Sequence, residues 1–449
     1  MFKALFHRPE GLLIGTFAAL ILCGALVLWL PAAHRADPVG FVDALFTSTS
    51  AACVTGLTTV DTATRYTRVG QTAIMMLIQL GGLGVMTFWA LAAQMLRSRL
   101  SFTSQAAWQS TFFEEESRGD FRTALRRILI LTLTIEALGA LVILGGLHGY
   151  TPAAGGVYEA VFLAVSAFCN AGFSVYSDNL VGLRGSPPIV WAIMFLIVAG
   201  GLGYTVLFEV LKRGWQRLRR RRHDPLIASL NTKVVLRMTG VLIVAGAAML
   251  LITGLTPAEV TWAEQSIHAL FQSVTARTAW FNTIDIGALP VPSLLILIGL
   301  MFIGGSPGSC AGGIKTTTTA VWLAQVFTRL SGREHLTLLG RRVPPDVVRR
   351  AALVLGVAAL WNGLGVMVLS ISEGGRPCVR LEQIILEQIS AFGTVGLSAN
   401  FTPSLTVVGK LWIIATMFVG RLGPLTVAFA ALARPKAPFE YPQERVMIG

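Results

Sequence analysis

Twenty consecutive residues, Gly11–Leu30, carry no acidic or basic side chain, and twenty more, Ile128–Leu147, carry one, Glu136. A helix rises about 1.5 Å per residue, so about 20 residues cross a hydrocarbon layer about 30 Å thick. Only 13% of the 449 residues are charged and 54% are hydrophobic, whereas a soluble domain carries roughly a quarter charged residues. Both features exclude an ordinary soluble globular domain and point to lipid as solvent. Gly11–Leu30 is also too long for the apolar part of a signal peptide. Its end, Leu28-Trp29-Leu30-Pro31, lacks small residues for cleavage. It is the first expected membrane span.

The formal net charge is +13, and its placement speaks to topology, not to nucleic acid. Over 1–10, 97–127, 212–237, 329–350 and the C-terminal tail there are 26 Lys and Arg; over 31–70, 148–188, 256–292 and 372–410 there are 8. This asymmetry puts both termini in the cytoplasm of a multi-pass plasma-membrane protein. The run Arg219–Arg222 is then a topology signal beside anionic lipid. Lys315 and Arg421 fall at membrane depth. No pair of the five cysteines has metal-ligand spacing; Cys53, Cys169 and Cys310 are expected to pack as small residues.

One unit recurs four times: an apolar span, an outer loop, a short helical stretch, a small-residue segment, and a second span with a glycine-rich middle. The small-residue segments are Val54-Thr55-Gly56-Leu57-Thr58, Asn170-Ala171-Gly172-Phe173-Ser174, Thr278-Ala279-Trp280-Phe281-Asn282 and Thr394-Val395-Gly396-Leu397-Ser398. The second spans carry Gly81-Gly82-Leu83-Gly84, Gly200-Gly201-Leu202-Gly203, Gly304-Gly305-Ser306-Pro307-Gly308 and Gly420-Arg421-Leu422-Gly423. Two motifs repeating in step make internal repetition the strongest organisational signal. The expected repeats are 1–100, 101–222, 223–340 and 341–449. Each holds two crossings, so all four start on one side and are parallel. Inverted repeats would have suggested an alternating-access carrier.

Between the two spans lies a stretch too short to cross. Phe41–Ala52 has 12 residues, about 18 Å as a helix. Its counterparts begin near Val157, Glu264 and Leu381. A half-helix that dips in and returns extended must be buried or line water, because lipid cannot satisfy its backbone. The expected fold is therefore all-α and integral to the membrane: eight spans and four re-entrant pore loops around a central pore.

A permeating cation sheds water only where oxygens replace it, and rings of backbone carbonyls do so without a full charge. Glycine permits the backbone angles that turn carbonyls inward. Val54, Thr55 and Gly56, with Asn170, Ala171 and Gly172, Thr278, Ala279 and Trp280, and Thr394, Val395 and Gly396, are thus the candidate residues for binding a cation. A stretch that resembles a nucleotide-binding loop, Gly308–Thr316, places Ile314 before Lys315 and lies inside an apolar span, so no nucleotide hydrolysis and no enzyme activity are expected. Glu136 and Glu209 stand without a series of partners and are expected to be structural.

The residues Ser273–Ala279, Cys169–Ser174, Gly304–Lys315 with the following threonines, and Gly420–Pro424 resemble the Trk/Ktr/HKT superfamily of potassium transport proteins. The resemblance runs from about residue 10 to residue 433. With the first span at Gly11–Leu30, it is nearest the membrane subunit of the Ktr branch. It implies a homodimer, a pore in each protomer, and docking on a cytosolic ring of nucleotide-binding (ATP/ADP or NAD type) regulatory subunits. It also implies that the third repeat's second helix is broken by an intramembrane loop at 304–313. Gly304, Gly305, Ser306, Pro307, Gly308, Gly312 and Gly313 would unwind a helix in any case. With Lys315 and Arg421 they form the expected gate, the two cations standing as a barrier below the filter. No cofactor is expected on this chain, and potassium is its substrate, with sodium a possible modulator. Sodium or mixed monovalent cation passage, a cation-coupled carrier and a non-conducting scaffold remain open.

The departure from the family pattern is Trp280, where glycine is called for. A Cβ and a large ring are expected to hold φ negative and to bring bulk to the filter rim. Two placements are open: an indole turned outward, leaving the Thr278 and Ala279 carbonyls aimed at the ion, or one lying across the entrance. The flanking residues match the family and favour the outward placement.

Overall fold

The computed structural model describes residues 9–35, 37–97, 121–150, 156–218, 228–255, 261–376 and 379–423. The Arg219–Arg222 run and the C-terminal tail lie outside them. The described chain is helical: α1 (Pro9–Trp29), α2 (Phe41–Ala52), α3 (Thr62–Arg65), α4 (Arg68–Arg97), α5 (Phe121–Tyr150), α6 (Val157–Phe168), α7 (Pro187–Leu202), α8 (Tyr204–Leu218), α9 (Leu230–Thr253), α10 (Trp262–Thr275), α11 (Val291–Phe302), α12 (Thr316–Leu330), α13 (Pro345–Glu373), α14 (Leu381–Gly393) and α15 (Val407–Leu422). A two-stranded hairpin, Thr337–Leu338 with Arg341–Arg342, links α12 to α13.

Among the described residues, three helices are long and apolar enough to cross a membrane, Thr123–Gly149, Leu230–Thr253 and Pro345–Glu373; a further candidate is the pair α7 and α8, bent by 111°. These helices expose large aliphatic side chains such as Leu141, Ile252, Leu360 and Ile371, as a surface facing lipid does.

The packing follows one scheme. A short helix sits between two longer ones: α2 against α1 and α4, α6 against α5 and α7, α14 against α13 and α15, while α10 packs on α9. The element after each short helix also touches the next short helix along the chain. Thus α4 packs on α6, α7 on α10 and α11 on α14, and α15 returns to α2. The contacts form a closed cycle.

Glycine makes the close contacts in this cycle possible. A Cβ at Gly81 would overlap the Ala52 carbonyl oxygen, one at Gly200 that of Phe168, and one at Gly420 that of Phe392. Those carbonyls end α2, α6 and α14, each two residues before the small-residue segment that follows. The glycine-rich middles therefore let a long helix rest on the end of a short one. Gly304 differs, for its Cβ would meet the Gly312 carbonyl. Here α11 stops at Phe302, and helix resumes only at Thr316.

The chain also breaks where no break was expected. Gly203, at φ +85°, separates α7 from α8. The cause is the 303–315 loop, which binds the end of α7. Ser306 N–H donates to Gly201 O at 3.0 Å, Cys310 N–H to Gly200 O at 3.3 Å and Tyr204 N–H to Gly308 O at 3.2 Å. A continuing helix would need those carbonyls for itself.

Substituting Gly420 by Val should cost about 1–3 kcal/mol through overpacking against Phe392, lowering the thermal midpoint of the detergent-solubilised protein. Gly356→Ala, where nothing lies within 4 Å of an added Cβ, should leave that midpoint unchanged.

Candidate functional site

The C-termini of α2, α6, α10 and α14 each hand the chain to one of the four small-residue segments. In a helix this end carries partial negative charge. In every segment the first and third residues have positive φ. The first positions are Val54 at +55°, Asn170 at +61°, Thr278 at +80° and Thr394 at +49°; the third are Gly56 at +99°, Gly172 at +67°, Trp280 at +56° and Gly396 at +92°. Few non-glycine residues adopt such angles, so four segments sharing the alternation are one structural device used four times. Their residues are almost wholly buried.

The middle carbonyls point sideways around the cycle. A Cβ at Gly56 would lie 2.6 Å from Ala171 O, one at Gly172 would overlap Ala279 O, and one at Gly396 would overlap Thr55 O. Three of the segments thus present their middle carbonyl to the glycine of the segment before them. Glycine at the third position is required twice over, by its φ and by that oxygen.

Local hydrogen bonds explain how three of the segments keep this shape. Thr55 N–H donates to Ser50 O at 2.7 Å, Ala171 N–H to Ser166 O at 2.7 Å and Val395 N–H to Ser390 O at 2.8 Å. These bonds close the helix end over a left-handed residue. The third segment differs. Ala279 N–H donates to Thr275 O at 2.9 Å, and Phe281 N–H donates to Ala279 O at 2.8 Å across Trp280. That is a γ-turn with positive φ, a rare and strained form. It occupies one lone pair of the Ala279 carbonyl, which the matching carbonyls keep free of such a bond.

Two expectations about Trp280 are overturned. Its φ is positive, because the turn imposes the left-handed angle despite the side chain, at a cost of about 1–2 kcal/mol. Its indole is not turned outward. The Trp280 Cβ adjoins Gly172 and lies 2.7 Å from a Cβ built on Gly396, while ring atom Cε3 lies 2.6 Å from one built on Gly56. Gly172 and Gly396 are in the two neighbouring segments and Gly56 is in the one opposite. A group touching all three other corners of a four-cornered ring occupies its centre. Phe173 meets the indole edge-on, with centroids 5.8 Å apart. The matching flanking sequence preserved the backbone path, but χ1 of Trp280 is set by the gap that three glycines leave.

Beneath the ring runs the 303–315 loop. Gly312 N–H donates to Thr394 Oγ1 at 3.1 Å, tying the loop to the first residue of the fourth segment. Gly304 N–H reaches Ile314 O at 2.9 Å and Thr316 N–H reaches Gly305 O at 3.0 Å, which closes the loop at its base. The two cations hold loop carbonyls. Lys315 Nζ donates to Ala311 O at 2.6 Å. Arg421, 4% exposed, donates from Nη1 to Cys310 O and from Nη2 to Gly81 O at 2.8 Å. Arg421 therefore bridges α15, α4 and the loop, and no described carboxylate pairs with it. Gly305, Ser306, Pro307, Gly308 and Gly313 complete the loop, with Ser306 Oγ 3.2 Å from Thr316 Oγ1.

Side-chain bonds brace the segments and the helices around them. Asn170 and the Thr278 hydroxyl are 3.1 Å apart, and with the amide oxygen accepting from Thr278 the amide nitrogen donates to Ala167, Phe168 and Ile197 carbonyls. Glu136 is buried; its Oε2 accepts from Gln79 at 3.1 Å, and the Cys169 thiol faces its Oε1. Cys53, Cys169 and Cys310 are free and buried, as expected. Glu209 accepts from Arg213 and from the Ser229 and Thr232 hydroxyls, joining α8 to the start of α9. Arg277, counted with the outer charges, is buried behind the third segment.

The family model described as "TrkH: Cation transport protein" matches residues 12–440. The chain is 36% identical to the potassium/sodium uptake protein NtpJ of Enterococcus hirae, over 98% of this chain and 97% of that one. It is 37% identical to the Ktr system potassium uptake protein B of Bacillus subtilis, over 99% and 97%. The crystal structure of the potassium transporter TrkH from Vibrio parahaemolyticus superposes with a TM-score of 0.72 at 18% identity, covering 93% of this chain and 83% of that one; it shares the fold.

Replacing Arg421 by Ala leaves the Cys310 and Gly81 carbonyls without a donor and frees the loop. Labelling of Cys310 by a small thiol reagent should then rise about tenfold, the factor corresponding to roughly 1.4 kcal/mol of lost hydrogen bonding. Cys310→Ser in the same background identifies the signal. An unchanged labelling rate would show that the loop does not depend on this clamp.

Proposed function

Because the chain belongs to the TrkH cation transport family, we propose that it carries potassium across the plasma membrane, down the electrochemical gradient, through a pore whose filter is the ring of four small-residue segments. The observation that carries this reading is the shared alternation of φ in four buried segments, with middle carbonyls turned around a common centre. Such a ring replaces the hydration shell of a monovalent cation, and four helix C-termini add favourable potential. In this reading the four packed units are parallel repeats at 1–100, 101–222, 223–340 and 341–449. Together they give eight spans, with α2, α6, α10 and α14 as re-entrant pore helices and both termini in the cytoplasm.

The gate has two levels. The 303–315 loop lies under the ring, and Arg421 and Lys315 fix it there while adding positive charge that repels a cation. At the ring itself the Trp280 indole fills the centre, so the conformation described is closed at the filter. Conduction requires the indole to leave, by rotation about χ1 or with the strained γ-turn. Homologues named as parts of a Ktr system support work with a regulatory partner, which in this reading is a cytosolic nucleotide-binding ring docked on a homodimer. The one named for both potassium and sodium uptake supports sodium as a second ion.

The central indole also favours a second reading, a non-conducting scaffold. Rubidium uptake into proteoliposomes, competed by potassium and by sodium, separates the two. The first reading expects measurable uptake by the parent, a many-fold increase in Trp280→Gly, and a raised basal rate in Arg421→Ala. In the Trp280→Gly background, Gly→Ser at 56, 172 or 396 should lower the preference for potassium over sodium. No uptake by the parent beside rapid uptake by Trp280→Gly supports the scaffold. Silence in both, with normal folding, removes the pore.

A further inference from the structure

One buried acid takes no part in the features above. Glu387 lies on α14, fully buried, seven residues before Thr394. The equivalent positions before the other three segments hold Thr47, Leu163 and Phe271, so an acid stands behind one quarter of the ring only. Its Oε1 accepts from the Thr402 hydroxyl at 2.5 Å, and its Oε2 is buried with no hydrogen-bond partner. Thr402 belongs to the chain leaving the fourth segment. There Ser398 Oγ accepts from Phe401 N–H at 3.1 Å and from Thr402 N–H at 3.4 Å, and the Ser398 hydroxyl faces the Glu387 carboxyl. Ser398 is two residues past Gly396.

A carboxyl buried this deeply is costly unless something compensates it. The charged groups around α14 do not. On α15, Lys410 pairs with Asp43 at 2.7 Å, and Arg421 is spent on two carbonyls. At the end of α13, Arg376 meets Glu373, and at the start of α14, Arg380 faces Glu382. The acid is retained with its nearest contacts on the outgoing leg of the fourth segment.

We infer that Glu387 is a positioning residue for cation discrimination: through Thr402 and Ser398 it fixes the outgoing leg of the fourth segment, and with it the orientation of the Val395 and Gly396 carbonyls. This rests on the ring being the cation site. A carbonyl ring discriminates ions by the number and placement of its oxygens, so loosening one quarter should blur the discrimination before it destroys binding.

The test compares the full-length parent with Glu387→Gln, which keeps the shape and one acceptor, and Glu387→Leu, which keeps the volume and no acceptor. Thermal midpoints in detergent are titrated with rubidium chloride and with sodium chloride, giving apparent affinities and their ratio. Rubidium and sodium uptake are measured in parallel in the Trp280→Gly background. The expected result is a rubidium-to-sodium ratio that falls about tenfold in Glu387→Leu, corresponding to roughly 1.4 kcal/mol, and is largely restored in Glu387→Gln. A lower midpoint in Glu387→Leu with an unchanged ratio would mean the acid only stabilises the fold, and the inference is overturned. A ratio equally lost in both variants also overturns it, since the acceptor to Thr402 survives in the amide. If no cation shifts the midpoint of the parent or of Trp280→Gly, the ring is not a cation site, and both readings fall together.

Discussion

A peptide group in hydrocarbon has no water to bond, and the buried non-helical stretches described above are arranged around that constraint. The four segments after α2, α6, α10 and α14 leave helical geometry deep inside the protein, where each freed carbonyl must be shielded or used. Long helices shield the ends of three short helices by resting glycine on carbonyl, Gly81 on Ala52, Gly200 on Phe168 and Gly420 on Phe392. The middle carbonyls of three segments are turned sideways onto a neighbouring glycine, Ala171 onto Gly56, Ala279 onto Gly172 and Thr55 onto Gly396. The polarity that lipid would not tolerate is thereby concentrated in one buried place inside the protein.

The loop at 303–315 makes a demand of the same kind, since thirteen residues without helix lie between Phe302 and Thr316. Its carbonyls are met by Lys315 and Arg421, cations that are themselves expensive at this depth. Each cost offsets the other: the guanidinium and ammonium replace missing amide donors, and the carbonyls replace missing counter-ions. A carboxylate partner would have neutralised the charge. Carbonyl partners leave it in place, so the clamp holds the loop without being neutralised.

Much of this was legible in the sequence because it depends on backbone geometry that only particular residues permit. Glycine at 56, 172 and 396 marks both a left-handed angle and a close oxygen, and glycine at 81, 200 and 420 marks helix contact. What escaped depends on three-dimensional neighbours. The bend at Gly203 arises because another part of the chain claims the carbonyls of Gly200 and Gly201, and no local pattern announces that. Trp280 was visible as a departure, but its direction is decided by space beside residues more than 100 positions away. Glu387 belongs to no motif in the sequence; its complete burial and its bond to Thr402 are what distinguish it.

The closed cycle of contacts also governs how the molecule is made. The partner of α2 on its open side is α15, and Lys410 meets Asp43 across 367 residues of sequence. While the ribosome is still synthesising the first three units, α2 and the segment after it are already in the bilayer with one flank uncovered. The fourth unit is the keystone: until it leaves the translocon, the polar backbone of the first must be sheltered by water, lipid headgroups or an insertion chaperone. A nascent chain stopped before α15 is therefore an open wedge, with the flank of α2 that α15 covers left bare.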